Sequence, residues 1–170
     1  MSEVSVSPQG EAFSLPQPAD YAAELARLEE RVTLARAEGQ EIVVVLGVGF
    51  VGAVMAAIIA DSVHENTGKP GKLVIGCQRP STRSYWKIPL LNRGISPVKA
   101  EDPEVEPMIH LTVIEKRTLT ATYNADCLAM ADVVVVDIQC DYVKQELGNM
   151  RTGDTDMKAL EESMLMLGQK

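Results

Sequence analysis

Two hydrophobic periods alternate along the chain, one typical of helices and one of buried strands. Residues 20–38 carry apolar positions at helical spacing among Glu and Arg, and Gly39 follows as a C-terminal stop, which predicts an amphipathic helix. Residues 42–46 form a short, continuously apolar run that is typical of a parallel strand buried on both faces. Residues 50–63 are rich in small side chains and predict a helix that packs closely on the sheet.

The same alternation continues to the end of the chain. We predict further strands at 72–77, 119–122 and 133–138, of which the last is buried. Helices are predicted at 84–92, 108–116, 125–130 and 156–167, and loops at 64–71 and 95–107. A strand and helix alternation of this kind predicts an α/β fold of the Rossmann type, doubly wound around a mainly parallel sheet. Residues 20–170 are expected to form this dinucleotide-binding domain, and residues 1–19 a disordered leader.

Composition narrows the possible partners and sites. The net charge of -8, without a basic run, argues against nucleic acid, and the apolar stretch 51–60 is too short to span a membrane. Three cysteines without metal-ligand or disulfide spacing fit a cytoplasmic protein, and neither histidine has a partner nearby in sequence. We therefore predict no metal site.

A glycine motif directly follows the predicted strand 42–46. It consists of Gly47, Val48, Gly49, Phe50, Val51 and Gly52 and matches G-x-G-x-x-G at the start of a helix. In this pattern the first glycine permits a tight turn, the second lets a diphosphate approach the backbone, and the third allows close packing of helix on strand. The motif predicts that these six residues bind NAD or NADP, and the alternative is a purely structural turn.

The end of the second strand of a nucleotide-binding fold commonly carries an acid that binds the adenosine ribose. Gln78 stands at that place here, and Arg79 and Arg83 follow it. The glutamine can still bond a ribose hydroxyl, while the two arginines can receive a 2′-phosphate or stack on adenine. The choice between NAD and NADP stays open, as does the alternative that both arginines are solvated loop charges.

A longer segment carries a family resemblance. Residues 87–97, KIPLLNRGISP, resemble the "lNkGesPi" segment of the UDP-glucose/GDP-mannose dehydrogenase family, and they follow a G-x-G-F-V-G loop and a second strand in that family's order. The similarity extends over residues 41–167, and the phrase Cys77-Gln78-Arg79 looks most like the members that act on N-acetylhexosamine-type sugars.

The resemblance implies the N-terminal cofactor-binding portion of a nucleotide-sugar 6-dehydrogenase. Such enzymes oxidise the C6 alcohol of a UDP- or GDP-sugar to a uronic acid for polysaccharide synthesis, with NAD-type cofactors and a catalytic cysteine. In the family that cysteine, the sugar-binding domain and the dimerising helix lie beyond the part matched here. The resemblance thus implies that the sheet is truncated before its last strands and that the chain is inactive by itself. It implies no catalytic role for Cys77, Cys127 or Cys140. It leaves the formation of an oligomer open.

The resemblance also assigns Gln139 and Cys140 to the stretch after the fourth strand, where the family has P-T-P near the cofactor. We expect these two residues to line the cofactor site, with a merely structural strand end as the alternative. Departures at Gln78, Asp137, Cys140 and Asp141 favour a second hypothesis, a catalytically inactive nucleotide-binding or regulatory module.

Overall fold

A computed structural model describes residues 3–144 and 153–170. Contacts divide the chain into two units, Met1–Asp137 and Ile138–Lys170. This differs from the single domain predicted over residues 20–170. The elements of the first unit are β1 (Val4–Val6), β2 (Ala12–Ser14), α1 (Asp20–Ala37), β3 (Glu41–Leu46), α2 (Phe50–Asp61), β4 (Lys72–Cys77), α3 (Lys87–Asn92), α4 (Val105–His110) with a π-helical continuation (Leu111–Glu115), β5 (Leu119–Thr122), a 3-10 helix (Ala125–Met130) and β6 (Val133–Val136).

A parallel four-stranded sheet organises the first unit. The strand order is β5-β4-β3-β6, and each neighbouring pair is parallel. This order corresponds to the first four strands of the doubly wound nucleotide-binding sheet, in which the chain crosses from one side of the first strand to the other. The predicted Rossmann-type fold is confirmed.

Side chains of β3 explain why that strand is central. Val44 and Val45 are fully buried, because successive residues of a strand point to opposite faces and both faces are covered. On one face Val43 and Val45 join a core cluster with Ala56, Ala57 and Ala60 of α2, whose small side chains permit close packing. Helix α1 also contacts β3, and its buried residues Leu28, Val32 and Ala35 lie outside that cluster.

The outer edge of β5 is covered by a side chain. Asn92, at the end of α3, accepts a hydrogen bond from the Ala121 backbone N–H at 2.7 Å and donates one to the Ala121 carbonyl at 2.9 Å. The amide thus takes the place of a neighbouring strand and satisfies both polar groups of a fully buried residue.

Most predicted elements are confirmed, with shifted ends. The strands at 72–77 and 119–122 and the helix at 125–130 have the predicted bounds. The helix predicted at 84–92 begins only at Lys87, because residues 82–86 form turns, and the helix predicted at 108–116 begins earlier, at Val105. Pro107 lies in the first turn of that helix, where its missing N–H is no cost.

The prediction of a disordered leader over residues 1–19 is wrong for residues 4–14. Strands β1 and β2 form an antiparallel hairpin, and the Ser5 side chain is fully buried where its hydroxyl accepts a hydrogen bond from the Trp86 N–H at 3.2 Å. Arg93 adds an ion pair with Glu11 and stacks over the Phe13 ring. Long-range contacts thus order a segment whose polar composition indicated disorder.

The strand predicted at 133–138 is confirmed over residues 133–136, but the prediction that it is buried is wrong. Strand β6 ends at Val136 and lies at the edge of the four-stranded sheet, so Val133 is 41% exposed and the three valines after it are half-buried. Four consecutive valines are typical of a strand that is covered on both faces. At the edge of a sheet, however, part of each side chain stays accessible to solvent.

The second unit contains a short hairpin and a helix. Strands β7 (Asp141–Lys144) and β8 (Gly153–Asp156) pair antiparallel, and α5 (Lys158–Leu167) follows. The helix predicted at 156–167 is therefore confirmed with a slightly later start, while the sequence pattern did not predict the hairpin.

Replacement of Asn92, whose side-chain amide bonds the edge of β5, should destabilise the sheet. We expect Asn92→Ala to lower the free energy of unfolding by about 1–3 kcal/mol, because it leaves the buried Ala121 N–H without its acceptor and the Ala121 carbonyl with only the long bond from Arg27 at 3.5 Å. The adjacent Arg93→Ala, which removes an exposed ion pair with Glu11, should cost less than about 1 kcal/mol. Urea denaturation of both variants measures the difference, and equal losses would contradict the role given to Asn92.

Candidate dinucleotide-binding site

The glycine loop joins β3 to α2 at the carboxyl end of the parallel sheet. Gly47 has φ +102, a conformation that side chains other than glycine rarely adopt, and its N–H donates to the Cys77 carbonyl at 2.8 Å. This bond fixes the start of the loop to the end of the neighbouring strand β4. The loop therefore lies where doubly wound folds bind nucleotides.

Gly52 is the third glycine of the motif, and its backbone packs directly against the first. A Cβ at residue 52 would overlap the carbonyl oxygen of Gly47 and lie 2.7 Å from a carboxylate oxygen of Asp137. No side chain fits between α2 and the end of β3. The predicted role of this glycine in close helix and strand packing is borne out by this geometry.

Gly49 stands in a different environment. It is the N-cap residue of α2, and the nearest atom to a Cβ built on it is Asp137 Oδ2, at 3.9 Å. No side chain caps the helix among the described residues, so the first-turn N–H groups point out of the helix without an intrahelical acceptor. Together with the helix dipole, these donors form a site suited to an anion that approaches Gly49 closely.

Val48 connects the loop to the second strand. Its side chain is fully buried, and a Cβ at Gly76 would come within 2.6 Å of its Cγ1 atom. Its N–H donates to the side-chain oxygen of Gln78 at 3.1 Å. Gln78 thus lies beside the glycine loop, and its carbonyl oxygen is used within the protein.

Arg79 and Arg83 follow Gln78 in a tight turn. Both arginines are exposed, and Ser84 holds the turn together, since its hydroxyl donates to the Arg79 carbonyl at 3.2 Å and lies 2.8 Å from the Ser81 hydroxyl. The Trp86 indole N–H donates to the Arg83 carbonyl at 2.9 Å. The main chain of both arginines is therefore held by hydrogen bonds, while their side chains are exposed.

Exposed apolar side chains flank the same loop. Phe50 is 61% and Val51 53% exposed at the start of α2. Their predicted contact with a cofactor stays a prediction.

Asp137 lies beside the glycine loop, although the glycine motif does not contain it. It follows β6 directly, its N–H donates to the Leu46 carbonyl at 2.9 Å, and its carboxylate faces Gly49 and Gly52. Sequence reasoning marked it only as a departure from the family. The sequence did carry one signal for it. Asp137 directly follows the apolar run of β6, just as Gly47 directly follows β3.

Gln139 and Cys140 belong to the second unit. Gln139 is exposed, and the Cys140 thiol is half-buried, 3.8 Å from the Ile138 carbonyl oxygen. Their expected contact with a cofactor stays a prediction.

Two other cysteines are unsuited to nucleophilic chemistry. Cys77 and Cys127 are both buried, and a thiol hydrogen bond to Cys77 together with burial raises the pKa of Cys127 strongly. A thiol that stays protonated is a poor nucleophile. Residues 3–144 and 153–170 contain no group of three His, Cys, Asp or Glu residues that could hold a metal ion.

A cavity of about 460 Å³ opens on the side of the first unit where α1 begins, lined in part by Tyr85 and Tyr123. Glu24 and Arg27 form an ion pair in its wall at 2.7 Å, and burial near Glu24 raises the pKa of Tyr123 to about 12. The sequence pattern did not point to this cavity, because its walls come from segments far apart in the chain.

Comparisons with solved structures identify the class of protein. The chain is similar to the NDP-N-acetyl-D-galactosaminuronic acid dehydrogenase from Methanosarcina mazei Go1, with 30% identity and a TM-score of 0.63, over 83% of this chain and 27% of that one. It shares its fold with the UDP-D-ManNAc dehydrogenase from Pyrococcus horikoshii, with 20% identity and a TM-score of 0.55, over 75% of this chain and 25% of that one.

The chain is thus a Rossmann-type relative of the nucleotide-sugar dehydrogenases, as the sequence resemblance implied. It spans about a quarter of the length of these two structures. No family model and no curated protein matches the sequence. Among the described residues, no helix is both long and apolar enough to cross a membrane.

Gly49 and Gly52 of the glycine motif should respond differently to an added methyl group. We expect Gly52→Ala to lower the free energy of unfolding by about 3 kcal/mol or more, because the methyl overlaps backbone that cannot move aside. Gly49→Ala, which meets only an ordinary contact, should stay within about 1 kcal/mol of the parent chain. Thermal and urea unfolding test this contrast, and a fully stable Gly52→Ala would refute the close approach.

Proposed function

We propose that this chain is the NAD(P)-binding portion of a nucleotide-sugar 6-dehydrogenase, with the glycine loop as its dinucleotide site. The main support is the uncapped N-terminus of α2 at the carboxyl end of a parallel sheet, where Gly49 leaves room for a diphosphate. The similarity to a uronic acid dehydrogenase at 30% identity supports the same family of reactions. The sugar chemistry and the catalytic cysteine would then come from outside these residues.

Within this proposal the described residues have distinct roles. Backbone N–H groups of Gly49, Phe50 and Val51 would hold the diphosphate, while Gly47 and Gly52 shape the turn. Gln78 would face the adenosine ribose, and a contact of Gln139 and Cys140 with the cofactor stays a prediction from the sequence. The cofactor supplies hydride acceptance when bound, and these residues bind and orient it.

The position of Asp137 supports a second candidate function, that of a nucleotide-binding module. Its carboxylate lies against the loop that would receive a diphosphate, and two like charges a few ångströms apart repel each other by about 1 kcal/mol even in water. This charge favours a nucleotide-binding module of reduced affinity, without catalysis of its own.

Gly49→Ala provides a binding test that leaves the fold intact. We expect it to weaken dinucleotide binding by about tenfold or more, since the methyl group occupies the space in which the diphosphate meets the backbone. Calorimetric titration of the parent chain and the variant with NAD and NADP measures the effect. No binding of either dinucleotide to the parent at millimolar concentration would rule out the proposed cofactor site.

Removal of the Asp137 charge should strengthen binding. We expect Asp137→Asn to tighten dinucleotide binding by about tenfold, because the amide keeps the size of the side chain and removes the repulsion. Glu65→Gln is the matched control, since it deletes one exposed acid in the loop that leads into the opposite end of β4. Weaker binding by Asp137→Asn would instead mean that the carboxylate takes part in holding the ligand.

A further inference from the structure

The cavity beside the start of α1 is separate from the glycine loop. Its volume of about 460 Å³ lies in the range of small-molecule sites, and none of the six residues of the glycine motif lines it. Its walls come from the segment between β2 and α1, from the first turns of α1, and from Tyr85 and Tyr123. The cavity is therefore a second candidate binding site of the first unit.

Two tyrosine rings form adjacent walls of the cavity. The centres of the Tyr85 and Tyr123 rings are 5.9 Å apart, and the ring planes meet at 63°. Tyr21 packs on Tyr123 with ring centres 5.1 Å apart, and the Tyr123 hydroxyl donates to the Asp20 carbonyl at 3.2 Å. The ring of Tyr123 is thus held in place. The face of an aromatic ring is its negative side, and it attracts a cation.

The charged side chains of the wall leave an excess of negative charge. Two carboxylates, those of Asp20 and Glu24, line the cavity together with one guanidinium, that of Arg27. Both oxygens of Glu24 accept from Arg27, at 2.7 and 2.8 Å, so these two charges offset each other. Burial, and after it the negative charge of Glu24 and Asp20, raises the pKa of Tyr85. The wall therefore favours a positive ligand over a negative one.

The remaining wall is apolar and is held by hydrogen bonds. The side chains of Leu15 and Pro16 line the cavity. The Leu15 N–H donates to the Glu3 carbonyl at 2.9 Å, and the Gln17 N–H donates to the Asp20 carboxylate at 2.7 Å. A wall that is already ordered reduces the entropy lost when a ligand binds. Aromatic and apolar surface beside one excess carboxylate suits a ligand whose alkyl groups surround a positive nitrogen.

We propose that this cavity binds an organic ammonium group, recognised by the ring faces of Tyr85 and Tyr123 and by the carboxylate of Asp20. The alkyl groups of such a ligand contact the rings and the apolar wall, and its charge complements the excess negative charge. An anion would be repelled, and an uncharged ligand would gain nothing from Asp20. The site does not depend on the proposed binding of a dinucleotide.

An NMR titration of the full chain with choline, observed at the tyrosine ring signals, tests the site. Its control ligand is the uncharged carbon analogue of choline, in which a tert-butyl group replaces the trimethylammonium group. We expect choline to bind at least about fivefold more tightly than this analogue. Equal binding of the two would reduce the site to apolar contact and overturn the proposal. No change of the ring signals with choline up to about 20 mM would overturn it as well.

Substitutions separate the contribution of the ring from that of the charge. Tyr85→Leu should weaken choline binding by about fivefold, because it keeps an apolar side chain and removes the ring face, whereas Tyr85→Phe should stay within about twofold of the parent chain. Asp20→Asn should weaken choline by about threefold and leave the carbon analogue unchanged. Glu30→Gln is the matched control, since it removes an exposed acid of the same helix that does not line the cavity.

Equal losses of choline binding in Tyr85→Phe and Tyr85→Leu would contradict the role of the ring face. Equal losses in Asp20→Asn and Glu30→Gln would contradict the role of Asp20. Circular dichroism spectra and unfolding midpoints of the variants identify any loss that comes from misfolding.

The same ammonium group occurs in free small molecules and on modified lysine side chains. Trimethyllysine with blocked termini is therefore titrated in parallel with choline. Tighter binding of blocked trimethyllysine would assign the cavity to a side chain of a protein partner, and tighter binding of choline to a free small molecule. Either order retains the ammonium site, and failure of both ligands to bind overturns it.

Discussion

The close approach of α2 to the end of β3 is the constraint on which the first unit depends. Gly52 packs against the Gly47 carbonyl, so the helix begins directly at the sheet and its alanines reach the core valines. The same approach aims the first turn of the helix at the space above the sheet, where a ligand would bind. The missing side chain of Gly52 therefore sets both the packing of the helix and the direction of its first turn.

The sequence was sufficient to predict the elements whose patterns are local. The strand at 72–77, the long helix from Asp20 and the glycine turn each carry a hydrophobic period or a residue with a special backbone requirement. The hairpin of residues 4–14 could not be predicted in this way, because Ser5 is held by Trp86, far along the chain. The exposure of β6 follows from its place at the end of the strand order over the described residues, which four valines in a row do not reveal.

The candidate site likewise has features that the local sequence predicted and features that depend on tertiary contacts. The spacing of the glycines predicted the loop, whereas the bond between the Val48 N–H and the Gln78 side chain was not predicted and is visible only in the structure. The direction of the Gln78 amide and the approach of Asp137 to Gly49 and Gly52 are tertiary facts.

The two edges of the sheet differ in their capacity for growth. At β5 the Asn92 amide already occupies both hydrogen-bonding positions of Ala121, so a new strand would have to displace it. At β6 an added strand would meet half-exposed valines and would lie on the side where nucleotide-binding sheets continue. Asn92 thus blocks the addition of a strand at the β5 edge, so a further strand could pair only at the β6 edge.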